Sequence, residues 1–134
     1  MESATWRAQV RFAEVDLQGV VFNAHYLTYC DEALAAFFAQ IEHGADDAID
    51  FATSLKVVTT TLTWSAPARN GDVIEIYVRC TKVGRTSLSL AFDIRAGQVP
   101  CCEVSTTYVH VDHEGIATAI PAAIRAALRP DAHT

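Results

Sequence analysis

Trp6, Ala8, Val10 and Phe12 alternate with Thr5, Arg7, Gln9 and Arg11. A period of two predicts a first strand with one buried face. A loop from Ala13 to Phe22 follows, and then the period changes. From about Ala24, the residues Leu27, Cys30, Leu34, Phe37, Phe38 and Ile41 recur three or four apart, which predicts a long helix. Ala33, Ala35, Ala36 and Ala39 fill much of the remainder, so this helix is expected to be mostly surrounded by protein. Asn23 suits its N-cap and Gly44 its stop. After Asp46-Asp47 the chain turns β-rich. Leu55 to Trp64 is crowded with Val and Thr, which favour strands. Asn70-Gly71 signals a turn. Val73 to Lys82 places Ile74, Ile76, Val78 and Cys80 on one face. Beyond a turn at Gly84, Leu88, Leu90, Phe92 and Ile94 form another apolar face. Cys101 to Val111 reads as the last long strand. Pro121 to Leu128 predicts a short helix with proline in its first turn.

The order is strand, long helix, then four strands, an α+β arrangement in one domain spanning residues 1–134. Short connections between the later strands predict an antiparallel meander. An antiparallel sheet curved around one central helix covers the helix most economically. Such a sheet keeps exposed edges, which invite pairing with a second copy.

Composition narrows the function. Ten Lys and Arg against sixteen Asp and Glu give a net charge of −6, which argues against a nucleic-acid partner. No apolar run is long enough to span a bilayer. The first residues lack the basic and then apolar order of a signal peptide, so a cytoplasmic location is expected. The four cysteines form no C-x-x-C pair, so no metal site is expected and buried thiols are the simplest reading. Cys101 and Cys102 are neighbours in a strand and should face opposite ways.

The most suggestive stretch is Glu14-Val15-Asp16-Leu17-Gln18-Gly19-Val20-Val21-Phe22-Asn23-Ala24-His25. It puts a carboxylate, Asp16, shortly before a helix start. A helix start offers unpaired backbone N–H groups and a positive dipole end. A carboxylate facing such donors is equipment for attacking or hydrating a carbonyl. The plainer reading of Asp16 is a turn carboxylate, since Asp is common before Gly. His25 fits a structural histidine better than a proton shuttle. A serine triad has no support in the order of residues.

Arg11-Phe12-Ala13-Glu14-Val15-Asp16, Gly19-Val20-Val21-Phe22, Tyr26-Leu27 and Asp31-Glu32-Ala33 together resemble the signature of 4-hydroxybenzoyl-CoA-type thioesterases of the hotdog superfamily. Pro67-Ala68-Arg69, Gly71-Asp72, Ile74-Glu75 and Gly84-Arg85-Thr86-Ser87 extend the resemblance over nearly the whole chain. It implies the hotdog fold in homodimers or homotetramers, with active sites between subunits. It implies hydrolysis of acyl-CoA thioesters, with coenzyme A as part of the substrate and no separate cofactor. Asp16 matches the family's catalytic carboxylate, as nucleophile or as base for a water. The backbone near Asn23 matches the oxyanion donor, although many relatives carry His or Tyr at that position. Lys82, Arg85 and Thr86 flank a turn where relatives contact CoA phosphates. Phe22 and Tyr26, with Tyr29, are candidates for the acyl pocket, with core packing as the competing role. Glu32 is a reserve carboxylate, because another hotdog lineage uses a helical acid. Hydrolysis of carrier-protein thioesters and a non-catalytic acyl-CoA-binding module are the alternatives. A dehydratase lacks its His–Asp pair.

Overall fold

The computed structural model describes residues 3–41 and 45–130, without the side chains of 45–47. Five strands form one antiparallel sheet: β1 (Trp6–Gln9), β2 (Leu55–Trp64), β3 (Val73–Val83), β4 (Ser87–Ala96) and β5 (Val99–His110). Their spatial order is β1-β3-β4-β5-β2. The long helix α1 (His25–Gln40) packs on one face of this sheet, with α2 (Ala45–Ala52) beside it and α3 (Ala122–Leu128) near the chain's end.

The period-two reading holds in β3 and β4. Ile74, Ile76 and Cys80 face the helix with Leu88, Leu90, Phe92 and Ile94, and all seven are buried. The alternate residues Glu75, Tyr77, Arg79, Asp93 and Arg95 line the other face of the sheet. From α1, Tyr26, Tyr29, Cys30, Ala33 and Phe38 complete the core. Burial of this apolar surface is the main favourable contribution to the fold.

Several expectations change. β3, β4 and β5 are a meander, but β2 is not part of it. The segment 65–72 crosses from one edge toward the other, so β2 pairs with β5 instead of β3. β1 stops at Gln9, and Phe12 enters a 3-10 turn (Phe12–Glu14) where it is 81% exposed. Glu14 causes this break by accepting the Arg11 N–H at 2.9 Å and closing the turn. The chain after Asp46-Asp47 is not yet β: Ala48, Phe51, Ala52 and Leu55 recur at helical spacing and fold Ala45–Ala52 into α2. Asn23 is not the N-cap, because Ala24 occupies that position without a side-chain bond. The stop expected at Gly44 lies outside the described residues. Pro121 sits one place before the helical residues of α3, as its N-cap.

Cys101 and Cys102 do not face opposite ways in effect. Ile94 pairs with Cys102 and Arg95 with Pro100, so Cys101 is the extra residue of a β-bulge. Both thiols are buried, at 0% and 2% exposure. Burial pushes the Cys102 thiol up to about 11 and Cys30 up to about 12.

The helix is also less enclosed than its composition predicts. Leu27, Thr28, Asp31, Glu32, Ala35 and Ala39 are exposed along one side of α1. The edge strand β2 is exposed as well, including Val57, Val58 and Trp64.

Candidate active site

The loop between β1 and α1 is a small, well-tied structure. Val15 bridges Val21, and the Asp16 N–H donates to the Val20 carbonyl at 2.9 Å. The Gly19 N–H returns to the Asp16 carbonyl at 3.0 Å, and Gly19 holds a φ of 79° that favours glycine. Leu17, at the tip, is fully exposed.

Glu14 anchors this loop. The residue is buried, at 8% exposure. Oε2 accepts from Arg11 Nη2 at 3.1 Å, and Oε1 accepts from the Tyr29 hydroxyl at 3.1 Å. Desolvation alone would raise this carboxyl. The hydrogen bonds from the Arg11 backbone and guanidinium and from Tyr29 outweigh it and hold Glu14 below the usual glutamate range. Tyr29 is pushed up, by burial first and then by the neighbouring Glu14 charge. Sequence reasoning passed over Glu14 as a site-building residue. The signal available was an acid three positions after Arg11, the spacing of a capping box.

A second tie fixes the helix start. The Ala68 N–H donates to the Tyr26 hydroxyl at 3.2 Å, and the Ala68 carbonyl accepts the Val21 N–H at 2.8 Å. One buried residue thus joins helix, loop and crossover. Tyr26 is itself buried, which raises its hydroxyl above the ordinary tyrosine value against the pull of the Ala68 N–H.

The amides at the start of α1 divide into two kinds. Phe22 N–H donates to the Glu14 carbonyl at 3.0 Å, and His25 N–H to the Phe22 carbonyl at 2.9 Å. The amides of Asn23 and Ala24, between them, meet no acceptor among the described residues. Beside them opens a cleft of about 300 Å³, lined by Val20, Val21, Asn23, Tyr26 and the segment Trp64–Pro67. Trp64 is a wall of this cleft that the sequence did not single out, and its ring meets Tyr26 edge-on at 6.0 Å. Two adjacent free N–H groups at a helix start can hold an oxyanion.

The structure brings Asn23 and Tyr26 together in that cleft. Asp16 does not line it in a single chain. Its Oδ1 accepts the Gln18 N–H at 2.8 Å in an Asx turn, while Oδ2 meets no partner among the described residues. Phe22 is half exposed outside the cleft, its ring edge-on to His25 at 6.3 Å. Asp31 and Glu32 sit on the exposed side of α1. Partial burial and then the Glu32 charge raise the Asp31 carboxyl.

Lys82, Arg85 and Thr86 are not near Asn23 in the same chain. Lys82 lies near the Val83 end of β3, and Arg85 and Thr86 lie in the turn beyond it, while the Val73 end leads back to the 65–72 segment whose first residues line the cleft. With a rise of ~3.3 Å per residue, about 30 Å of strand separates the two. The Thr86 carbonyl accepts the His110 N–H at 2.7 Å, and His110 pairs with Leu55, the first residue of β2. Among the described residues no group of three His, Cys, Asp or Glu is arranged to hold a metal ion. No helix among them is long and apolar enough to cross a membrane.

Residues 10–128 match the family model described as the thioesterase-like superfamily. A chloroplastic acyl-acyl carrier protein thioesterase of Arabidopsis thaliana is 28% identical over 121 residues, 87% of this chain and 63% of that protein. The chain therefore spans under two thirds of the length of this curated relative. Among solved structures, a Thermus thermophilus thioesterase complexed with coenzyme A and zinc is 26% identical, with a TM-score of 0.82 over 96% of this chain and 95% of that one. A 1,4-dihydroxy-2-naphthoyl-CoA thioesterase from Synechocystis shares the fold at 20% identity, with a TM-score of 0.77 over 92% of this chain and 93% of that one.

Proposed function

The chain belongs to the thioesterase-like superfamily, and we propose on that premise that it hydrolyses acyl-CoA thioesters in a site built by two copies. The observation that carries the reading is the pair of amides at Asn23 and Ala24, without an acceptor among the described residues, beside a cleft lined by Asn23, Tyr26 and Trp64. The thioester oxygen lies against these amides, which stabilise the negative charge that develops there. One such donor is typically worth about 2.7–4 kcal/mol. Asp16 attacks the carbonyl, or deprotonates the water that does. Its Oδ2 is available for either role. Asn23 serves through its backbone, so the absence of a His or Tyr side chain at that position does not weaken the reading.

The second copy completes the site. β2 is a ten-residue edge strand with Val57 and Val58 exposed. A two-fold perpendicular to the sheet pairs two such edges antiparallel. Leu55 of one copy then lies toward Trp64 of the other. The turn at Arg85, tied to the Leu55 end through His110 and Thr86, is thereby carried toward the other copy's helix start. Lys82, Arg85 and Thr86 hold the CoA phosphates there, and Phe22, exposed in one chain, borders the acyl group. The reaction needs no cofactor besides the CoA of the substrate. A reducing, cytoplasmic setting belongs to the same reading, since all four cysteines are buried and unpaired.

The Arabidopsis relative favours a second reading, a carrier-protein thioester as substrate. Rates on the same acyl group carried by CoA and by a carrier protein decide between the two. The central test is Asp16→Asn. The variant should fold normally, because an amide oxygen can still accept the Gln18 N–H, and should lose about 10²–10⁴-fold in kcat. Equal, slow turnover by wild type and variant across benzoyl, short and long acyl-CoAs would leave an acyl-CoA-binding module.

A further inference from the structure

The net charge of −6 hides a strong local asymmetry. Residues 76–92 contain Arg79, Lys82 and Arg85 but no Asp or Glu, and residues 115–130 contain Arg125 and Arg129 and again no acid. Five of the ten basic residues thus fall in two acid-free segments. The fold packs these segments together, and the Arg125 side chain bridges them. Arg125, on α3, donates through Nη2 to the Gly84 carbonyl at 2.7 Å and to the Arg85 carbonyl at 3.3 Å.

The rest of the turn follows the same plan. Ile120 N–H donates to the Arg85 carbonyl at 2.9 Å, and His110 N–H to the Thr86 carbonyl at 2.7 Å. All three carbonyls, at Gly84, Arg85 and Thr86, are therefore drawn toward α3, its approach and β5. The amides of Arg85 and Thr86 meet no acceptor among the described residues. Asp112, in the 111–117 loop that leads toward α3, uses Oδ1 on its own backbone, accepting from Glu114 at 2.9 Å and Ile116 at 3.0 Å. Successive free amides beside basic side chains form a concavity suited to phosphate oxygens.

We propose that Arg125 is the positioning residue of the phosphate site. By holding the carbonyls of Gly84 and Arg85 it keeps the Arg85 and Thr86 amides clear for an anion and adds a third positive charge beside Lys82 and Arg85. Arg125 acts on the turn and not on the reacting atoms. A single nitrogen, Nη2, reaches both carbonyls, so lysine keeps the charge and a donor but on a shorter side chain, whereas methionine removes both. The proposal rests on the acyl-CoA reading for its ligand, but its binding half can be tested without catalysis.

The experiment compares wild type, Arg125→Met and Arg125→Lys by two measurements. The first is the ratio of kcat/KM for an acyl-CoA to that for the same acyl group on pantetheine, which carries no phosphate. The second is calorimetric binding of adenosine 3′,5′-bisphosphate. Arg125→Met should lower the ratio about fivefold to tenfold, mainly through KM, and weaken the nucleotide by a similar factor. Arg125→Lys should fall in between, and it carries the test should the Met variant fail to fold. A part that only supports the fold would lower turnover of both substrates alike and leave the ratio unchanged, and that result overturns the proposal. A wild type that neither prefers CoA to pantetheine nor binds the nucleotide overturns the phosphate reading and the role of Arg125 together. Nucleotide binding weakened by Arg125→Met in a protein without turnover would overturn hydrolysis alone and support Arg125.

Discussion

The two ends of the sheet are built from different materials. At the helix end, the loop from Arg11 to Asn23 is tied by a buried carboxylate, Glu14, and by a buried phenol, Tyr26. At the turn end, the loop from Val83 to Ser87 is tied by a guanidinium, Arg125. At each end two successive amides meet no acceptor among the described residues: Asn23 and Ala24 at one, Arg85 and Thr86 at the other. The helix end lies beside an apolar-walled cleft, which suits a carbonyl. The turn end lies among cations, which suits phosphate. The ligands proposed for the two ends differ because the surroundings of the two amide pairs differ in charge.

The comparison breaks most visibly if the two ends never meet. Val58→Lys places a charge on the exposed β2 edge, a common device against strand pairing. Activity should drop about 10²-fold, the scale of misplacing a substrate-positioning group. Sedimentation should show smaller particles, and circular dichroism should show an intact fold. Full activity in a monomer would mean that one end suffices.

The anchor of the helix end comes next. Glu14→Gln leaves its buried partners poorly matched and should cost about 1–3 kcal/mol in urea unfolding at pH 7. The Glu14 carboxyl is held below its ordinary value of 4.5 in the folded protein. Its contribution is therefore complete above that value and is lost as pH falls through the lower, folded value. The gap between wild type and Glu14→Gln should narrow on acidification below pH 4.5, and a constant gap would show that the charge is not what matters.

Effects at the turn end are smaller, because its charges are exposed. Arg85→Met should raise KM for acyl-CoA about fivefold, and added salt should shrink the difference. Smallest of all is Glu32→Gln, on the exposed side of α1 and away from the cleft. It should change kcat less than about twofold, within the range of an ordinary surface substitution. A large loss there would move the catalytic carboxylate from the loop to the helix.

The parts of this architecture that repeat locally were legible in the sequence. β3 and β4 alternate cleanly because one face packs on α1 and the other does not. The motif around Asp16 and Asn23 placed the helix start within two residues. What escaped depends on partners far along the chain. Phe12 continues the alternation of β1 in sequence, yet Glu14 and Tyr29 pull the backbone out of the strand before it. The burial of both Cys101 and Cys102 needs a bulge that only the pairing with β4 defines. The roles of Arg125 and Ala68 are backbone contacts made across the fold, and no residue pattern announces them. The distance between Asn23 and Arg85 could not be read at all, because adjacency in a family signature carries no length.

The crossover that sets β2 beside β5 also has a consequence during synthesis. Trp64 ends β2, and everything up to Val99 must be made before the pairing strand begins to emerge. At ~5–20 residues per second a ribosome needs about two to seven seconds for that stretch. Through this interval Val57, Val58 and the threonine run from Thr59 to Thr61 wait without their neighbour, a β-prone segment in a growing chain. The strand proposed to pair with a second copy is thus also open to wrong partners on the polysome, and the protein's yield in cells should respond to translation speed between codons 65 and 99.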